Sequence, residues 1–324
     1  MIIDVHHHWI PKEHIENIEH YLQPRQTVEA KGQGRVVKEG SWELFNPKKL
    51  FYQMDEQIKH LDEAGIDMAA LSMGCYADWN DAQRAPGINN AMAEVQAQYP
   101  HRVIGLAHVN PLETGAPGEV ERCVKELGLK GVSFNTNTAG KYPDAKEFGP
   151  LYQKISKLGI PIVIHAASLP HTEYMRQVTW QGLATPLLAR AIDHMIASAR
   201  VVKSGILQAY PGIKFVFGHL GGSGFFTSLQ RFGFNPGSPG YKEMKSQLYF
   251  DTAPVGWGKL ALQTAVSAYG VDNVLMGSDY PSVTNDGPSL RGAVAAIQEL
   301  ELSPADQAKI LGDTAARLFN VRTE

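Results

Sequence analysis

The stretch "MIIDVHHHWIP" at residues 1–11 decides the fold, because an apolar run leads directly into three consecutive histidines. The apolar residues predict a β-strand over residues 1–8. Alternate side chains of a strand share a face, so Asp4, His6 and His8 are expected to point one way and Val5 and His7 the other. Two imidazoles two residues apart on one face can bind a single metal ion. We therefore predict that His6 and His8 are metal ligands, and that His7 packs against the helical layer.

Seven more apolar, β-branched runs follow this first strand, and helical patterns lie between them and at the end of the chain. The strands are predicted at 68–73, 102–110, 129–135, 160–167, 213–220, 248–254 and 271–281, and the helices at 54–66, 88–100, 116–128, 148–160, 186–212, 257–270, 288–300 and 303–320. Eight strands alternating with helices predict an α/β fold of the (β/α)₈ TIM-barrel type. A doubly wound open sheet also alternates and is the alternative.

The sequence contains no linker-like or repeated stretch, which predicts a single barrel domain over residues 1–324. Residues 12–53 are too long for a simple connection and form an insertion after the first strand. Its alternating part, 27–45, predicts a small hairpin that caps the barrel mouth. Residues 168–186 and 232–247 are two further long segments on the face where barrel enzymes carry their catalytic loops.

Composition excludes several classes of protein. The chain has 324 residues, 44% of them hydrophobic, and a formal net charge of −3 without a basic block, which argues against a nucleic-acid partner. Cys75 and Cys123 are isolated, so we expect a reducing compartment rather than a disulfide framework. No apolar run has the length of a membrane span. The expectation is a soluble, cytoplasmic protein with no membrane partner.

Further metal-ligand residue types stand where predicted strands end. His165 ends the fifth strand, His219 the sixth and Asp279 the eighth. A lone histidine at the end of a strand is more often a hydrogen-bonded core residue than a ligand. Several of them at the same end of one barrel are different, because three histidines, one aspartate and an open position are typical of catalytic zinc.

The motifs "DVHHH", "IPIVIHAA", "FVFGHLGG" and "NVLMGSDYP" resemble the amidohydrolase superfamily. More narrowly, they resemble its amidohydrolase-2 branch, with 2-amino-3-carboxymuconate-6-semialdehyde decarboxylase and related nonoxidative decarboxylases. The resemblance implies one divalent ion, zinc or alternatively manganese, and a general acid/base at His219. It also implies a homodimer or higher homo-oligomer. The implied metal ligands are His6, His8, His165 and Asp279.

Substrate contacts follow the resemblance less closely. Where the comparison decarboxylase has an arginine that anchors a carboxylate, this chain reads "KEGSWELF" at 38–45. Arg231 is the candidate for a second arginine, which the resemblance places across a subunit interface. Trp42, Phe225 and Phe226 are candidates for an apolar wall against a ring, with ordinary core packing as the alternative.

Three polar residues near the expected mouth complete the prediction. His171 is a candidate substrate contact on a loop, with a solvent-facing side chain as the alternative, and His108 either lines the site or does not. Asp251, on the seventh strand, is expected to support the metal ligands.

The resemblance implies a metal-dependent nonoxidative decarboxylase of a small aromatic or conjugated enol carboxylic acid. His219 moves the proton, and Asp279 orients bound solvent while ligating the metal. A hydrolase that opens a lactone or amide with metal-bound hydroxide would need the same residues and is the alternative. A non-catalytic paralogue that binds metal or ligand is a second alternative.

Overall fold

The structure, a computed structural model, describes residues 1–40, 42–74, 82–167, 186–232, 235–283 and 285–321. Across these ranges the strands form two sheets, one of eight parallel strands and one of three antiparallel strands. The strands are β1 (Ile3–His8), β2 (Gln26–Lys31), β3 (Gly34–Glu39), β4 (Trp42–Phe45), β5 (Met68–Ser72), β6 (Val103–His108), β7 (Gly131–Asn135), β8 (Pro161–His165), β9 (Lys214–Phe217), β10 (Leu248–Asp251) and β11 (Val274–Leu275).

The large sheet follows the chain, in the order β1-β5-β6-β7-β8-β9-β10-β11. Backbone hydrogen bonds also join the segment at the last strand of this sheet to the first strand, β1. Val5 N–H donates to Met276 O at 3.0 Å, and Asp279 N–H donates to His6 O at 2.9 Å. An open doubly wound sheet has two free edges, so these bonds confirm the predicted barrel.

Helices cover the outside of the barrel. They are α1 (Lys12–Glu16), α2 (Met54–Ala64), α3 (Ala85–Gln98), α4 (Ala116–Lys125), α5 (Gly149–Leu158), α6 (Pro186–Lys203), α7 (Ile206–Ala209), α8 (Phe225–Ser228), α9 (Tyr241–Gln247), α10 (Lys259–Tyr269), α11 (Gly287–Gln298), α12 (Pro304–Ala308) and α13 (Thr314–Leu318). Within the described ranges, none has the length and apolar character that crossing a membrane requires.

Two of the predicted helices are interrupted. The helix expected over 186–212 ends at Lys203, and Gly205, with φ +82°, separates it from α7. The helix expected over 303–320 begins as predicted, because Ser303 accepts a hydrogen bond from the Asp306 amide. A π-helical turn, Lys309–Asp313, then separates α12 from α13.

The insertion after β1 contains three strands where the sequence predicted a hairpin. β2 pairs with β3 and β3 pairs with β4, all antiparallel. Val37, Trp42 and Leu44 of this small sheet pack with Ile10 and Ile15, which follow β1. A third strand forms because β4 pairs with β3 and buries these apolar side chains against the barrel.

The strand alternation predicted for β1 is wrong at its start. The register shifts between Asp4 and His7, so Val5 joins the buried cluster inside the barrel. The Asp4 carboxylate lies on the outer side, 2.9 Å from His7 Nδ1. A β-bulge inserts one residue and reverses the facing of everything before it. His7 itself packs outward as predicted, with its ring stacked on Tyr280 at 4.7 Å between centroids.

Candidate metal centre and its cavity

Polar side chains replace the apolar core at the carboxyl ends of the barrel strands. Further down, the interior is filled by residues such as Val163 and Val216. Alternation along each strand then brings a polar residue to the same face at its end. These strand-end residues are Ser72, His108, Asn135, His165 and Asp251, all buried.

Four residues approach closely enough to share one cation. One possible ligand atom each from His6, His165, His219 and Asp279 lies within 4.8 Å of the other three. The imidazole rings of His6 and His165 are 4.8 Å apart between centroids. The Nε2 atoms of all three histidines are buried without a hydrogen-bond partner among the described residues. Unpaired buried nitrogens are costly, so this set fits a metal ion, the role for which imidazole and carboxylate are suited.

His8, the fourth ligand that the sequence predicted, lies beside this set. Its ring is 5.0 Å from that of His6 and 4.9 Å from that of His165. In the structure its Nε2 is hydrogen-bonded to Asp279 Oδ1 at 2.9 Å, and its Nδ1 to Ser72 Oγ at 3.1 Å. All five predicted metal-centre residues therefore converge, and the tightest four contain His219 in place of His8.

Hydrogen bonds behind the cluster fix which imidazole nitrogen faces inward. His6 Nδ1 lies 2.8 Å from Asp251 Oδ2, and His165 Nδ1 lies 2.8 Å from Ala166 O. Each Nδ1–H donates to its oxygen, which leaves Nε2 with a lone pair for a metal. Asp251 therefore stands where the sequence predicted a supporting carboxylate. Its other oxygen accepts the His219 backbone N–H at 3.0 Å.

Burial and neighbouring charges set the protonation of the cluster. Burial and the nearby histidines hold the pKa of His165 well below its usual range, so this imidazole is neutral. Burial opposes ionisation of Asp279, but the neighbouring His219 and the hydrogen bond to His8 outweigh it and hold the pKa of Asp279 well below the usual range. Burial likewise lowers the pKa of His6, while the charge of Asp251 more than reverses this and raises it to about 9. Metal binds to ionised carboxylates and neutral imidazoles, so Asp279 and His165 are in the binding form, whereas His6 must lose a proton below about pH 9.

The backbone of the site adopts conformations that side chains rarely take. His219 has φ +54° and Asp279 has φ +62°. Such residues cost about 1–3 kcal/mol each and cluster at functional sites. Glycines also make room for the imidazoles, since a Cβ on Gly277 would lie 2.8 Å from His6 Cβ, and one on Gly74 would lie 2.9 Å from His8 Cε1.

A cavity of about 280 Å³ opens directly above the cluster, with His165, His219 and Asp279 at its base. Its apolar wall comes from the insertion and consists of Leu44, Phe45 and Phe51. Two cationic residues that the sequence did not predict, Lys48 and Arg190, also line the cavity. Lys48 follows the predicted hairpin and Arg190 lies in the second turn of α6, so the sequence carried no signal beyond their charge. The insertion thus lies over the mouth.

Several predicted substrate contacts lie elsewhere. Trp42 is buried in the packed cluster of the insertion, and Phe225 is buried near Phe250, and neither is among the residues described around this cavity. The alternative of core packing therefore describes both. Arg231 is exposed in a 3₁₀ turn outside the cavity, and His171 lies outside the described residues.

His108 is a packing residue rather than a lining one. Its Nε2 accepts the Met73 N–H at 2.9 Å, which fixes the end of β5. Burial lowers the pKa of His108 to about 3, so it stays neutral.

Known proteins resemble this chain in sequence and in fold. The model of a protein family described as amidohydrolase matches residues 3–321. A 2-amino-3-carboxymuconate-6-semialdehyde decarboxylase from Dictyostelium discoideum is 28% identical to this chain. The match covers 70% of this chain and 66% of the relative, so this chain spans slightly less than two thirds of the relative's length. A gamma-resorcylate decarboxylase from Polaromonas sp. is 25% identical, over 94% of this chain and 97% of its own.

Among solved structures, a dihydroxybenzoic acid decarboxylase from Polaromonas sp. JS666 was determined with bound manganese and the inhibitor 2-nitroresorcinol. It superposes with a TM-score of 0.77 at 22% identity, covering 100% of this chain and 98% of that one. At this identity the likeness establishes a shared fold.

Proposed function

The chain belongs to the amidohydrolase family, and on that premise we propose that it is a metal-dependent nonoxidative decarboxylase of a small aromatic or conjugated enol carboxylic acid. The observation that carries the proposal is the set of unpartnered Nε2 atoms beside Asp279, at the base of a cavity with an apolar wall. The decarboxylase relatives support the choice of reaction.

The residues proposed to hold the metal are His6, His8, His165 and Asp279. His219 is assigned to proton transfer because the family resemblance implies this role and because its side chain lines the cavity, as does that of His165. Imidazole and carboxylate donors suit zinc and manganese alike, so we propose one divalent ion of either kind. When bound, this ion supplies Lewis-acid stabilisation of negative charge on a substrate oxygen.

His219 is placed to move a proton at the carbon that loses its carboxyl group. The carboxyl carbon leaves as carbon dioxide, and the electron pair of the broken bond stays on the ring carbon. The His219 imidazolium gives that carbon a proton and recovers one from solvent. Its Nε2 lies 3.6 Å from Asp279 Oδ2, at the base of the cavity that would hold the substrate.

The apolar wall orients the substrate and excludes water. Phe45 and Phe51, which pack on each other with ring centroids 5.2 Å apart, offer aromatic surface to a planar acid. Removing water from the reacting carboxylate favours the loss of its charge to the ring. Leu44 completes the same surface.

The test uses purified protein loaded with zinc or manganese. Carbon dioxide release is measured with salicylate, 2,6-dihydroxybenzoate and 5-carboxyvanillate as substrates. Hydrolysis is measured with a panel of lactones and amides. We expect carbon dioxide from at least one acid. An enzyme that turns over only the lactones or amides would be a hydrolase, and this result would overturn the proposal.

Three variants test the assignment of residues. His165→Ala is expected to lose bound metal, and His8→Ala to weaken its binding. His219→Ala is expected to keep the metal and lose about 10²- to 10⁴-fold in kcat, the usual contribution of a general acid. A His219→Ala protein that loses its metal would instead make this histidine a ligand. Full turnover without His219 would refute its role as the proton donor.

A further inference from the structure

Lys48 is a cation beside the cavity whose described partners are neutral. Its ammonium donates to Asn285 Oδ1 at 2.7 Å and to Pro281 O at 3.4 Å. No ion pair between Lys48 and a carboxylate occurs among the described residues. The side chain is half-buried, and burial lowers the pKa of Lys48. A partly desolvated charge that lacks an acidic partner is unfavourable unless a ligand supplies one.

The surroundings of Lys48 add positive rather than negative charge. Arg190, on α6, lines the same cavity and donates to Leu44 O at 3.0 Å. Glu43 is the acidic side chain on this side of the cavity, and it already pairs with Lys31 at 2.5 Å. Lys48 and Arg190 thus line the cavity near the insertion, while the carboxylate of Asp279 lies at the base.

We propose that Lys48 binds an acidic group of the substrate other than the carboxylate that leaves, with Arg190 as a second cation nearby. This inference rests on the proposed decarboxylase function. A cation on the leaving carboxylate would stabilise the charge in the ground state more than in the transition state, where that charge has moved into the ring. Binding of that kind slows the reaction. A cation on a non-reacting group contributes affinity and orientation without this penalty.

The inference names a substrate class. The ring lies against Phe45 and Phe51, the reacting carbon lies over His219, and a second carboxylate reaches Lys48 at the edge of the insertion. The preferred substrates are therefore aromatic or conjugated acids with two carboxylates. Monocarboxylic acids of similar size bind more weakly.

The experiment compares two unreactive probes, benzene-1,3-dicarboxylate and benzoate, by calorimetric titration of the metal-loaded protein and of the metal-free protein. The wild type is expected to bind the dicarboxylate at least tenfold more tightly. Lys48→Met is expected to lose roughly 10- to 100-fold in affinity for the dicarboxylate, the value of one charge-assisted hydrogen bond, and little for benzoate. Lys48→Arg should restore most of the preference.

Asn285→Ala is the matched control, because it removes the hydrogen-bond partner of Lys48 and keeps the charge. If Lys48 merely attached the insertion to the loop after β11, Asn285→Ala and Lys48→Met would behave alike and affect both probes equally. That result, or an unchanged dicarboxylate affinity in Lys48→Met, would overturn the inference. Because both probes are unreactive, the outcome is independent of turnover. A protein that prefers the dicarboxylate and releases no carbon dioxide from any acid would overturn only the proposed reaction.

Discussion

Replacing Asp251 by asparagine is expected to weaken metal binding, because this carboxylate supports two histidines at once. Oδ2 accepts from His6 Nδ1 at 2.8 Å. Oδ1 accepts the backbone N–H groups of His219 and Ala253, both at 3.0 Å. An asparagine side chain has a single acceptor oxygen, so its NH₂ group must face a donor on one side or the other.

The magnitude follows from the position of Asp251 behind a ligand. Loss of such a carboxylate typically costs about 10- to 100-fold in metal affinity, or ~1.4–2.7 kcal/mol. The pKa of His6 complicates the comparison at neutral pH. Burial lowers that pKa and the charge of Asp251 more than compensates, raising it to about 9, so below that pH a proton competes with the metal in the wild type. The full deficit should therefore appear at pH 9 and above.

The assay is competition with a chromogenic chelator, which gives the metal dissociation constant of each variant at pH 9. Asp4→Asn is the control, because Asp4 is an equally buried acid on β1 that accepts the His6 backbone N–H at 3.1 Å and bonds His7 Nδ1 at 2.9 Å, but bonds no imidazole of the cluster. It should lower the melting temperature and leave metal affinity within about threefold of the wild type, since it supports no cluster side chain. An Asp251→Asn protein that binds metal as tightly as the wild type would refute the reasoning, as would an Asp4→Asn protein that loses as much.

Three further predictions concern stability. Burial lowers the pKa of His108 to about 3 and that of His14 to about 4, whereas both titrate near 6.5 when unfolded. The unfolded state therefore binds more protons below pH 6.5, and the free energy of unfolding should fall by about 1.4 kcal/mol per pH unit for each of these histidines as the pH drops. Urea denaturation from pH 8 to 5 measures this slope, and an unchanged slope in His108→Gln would contradict the assignment. Gly74→Ala should destabilise the protein by at least ~1 kcal/mol more than Gly65→Ala, because both glycines have positive φ but the new Cβ would lie 2.9 Å from His8 Cε1 only at Gly74. Equal losses in thermal unfolding would show that the contact is harmless. Ser303→Ala should cost about 1 kcal/mol, since the serine Oγ caps α12 by accepting the Asp306 N–H at 3.1 Å. A melting temperature equal to that of the wild type would contradict this.

The barrel could be predicted from the sequence because strand ends and helix stripes are local patterns. His165 and Asp279 stand at the ends of apolar runs, and parallel strands bring those ends to one face. The facing of Val5 could not be predicted in this way, since the bulge before His7 depends on how β1 meets its neighbours. The length of the eighth barrel strand could not be predicted either. Regular strand structure covers just Val274–Leu275, and Gly277 then lies close to His6.

The cluster was predictable and the cavity lining was not, for a related reason. The predicted ligands stand at the ends of strands with fixed spacing, whereas Lys48 reaches the cavity from the insertion and Arg190 from α6. Their convergence is a property of tertiary packing. Trp42 illustrates the opposite error, because an aromatic residue in the insertion suggested a substrate contact and is instead needed to pack the small sheet.

The origin of the two halves of the cavity has a consequence for laboratory evolution. The base of the cavity belongs to the barrel. Its other wall contains Leu44, Phe45, Lys48 and Phe51, which all come from one contiguous segment, residues 44–51. Exchanging this short segment among homologues would change which substrate is preferred and would leave the residues at the strand ends unchanged. Libraries confined to it should yield altered preferences far more often than inactive proteins.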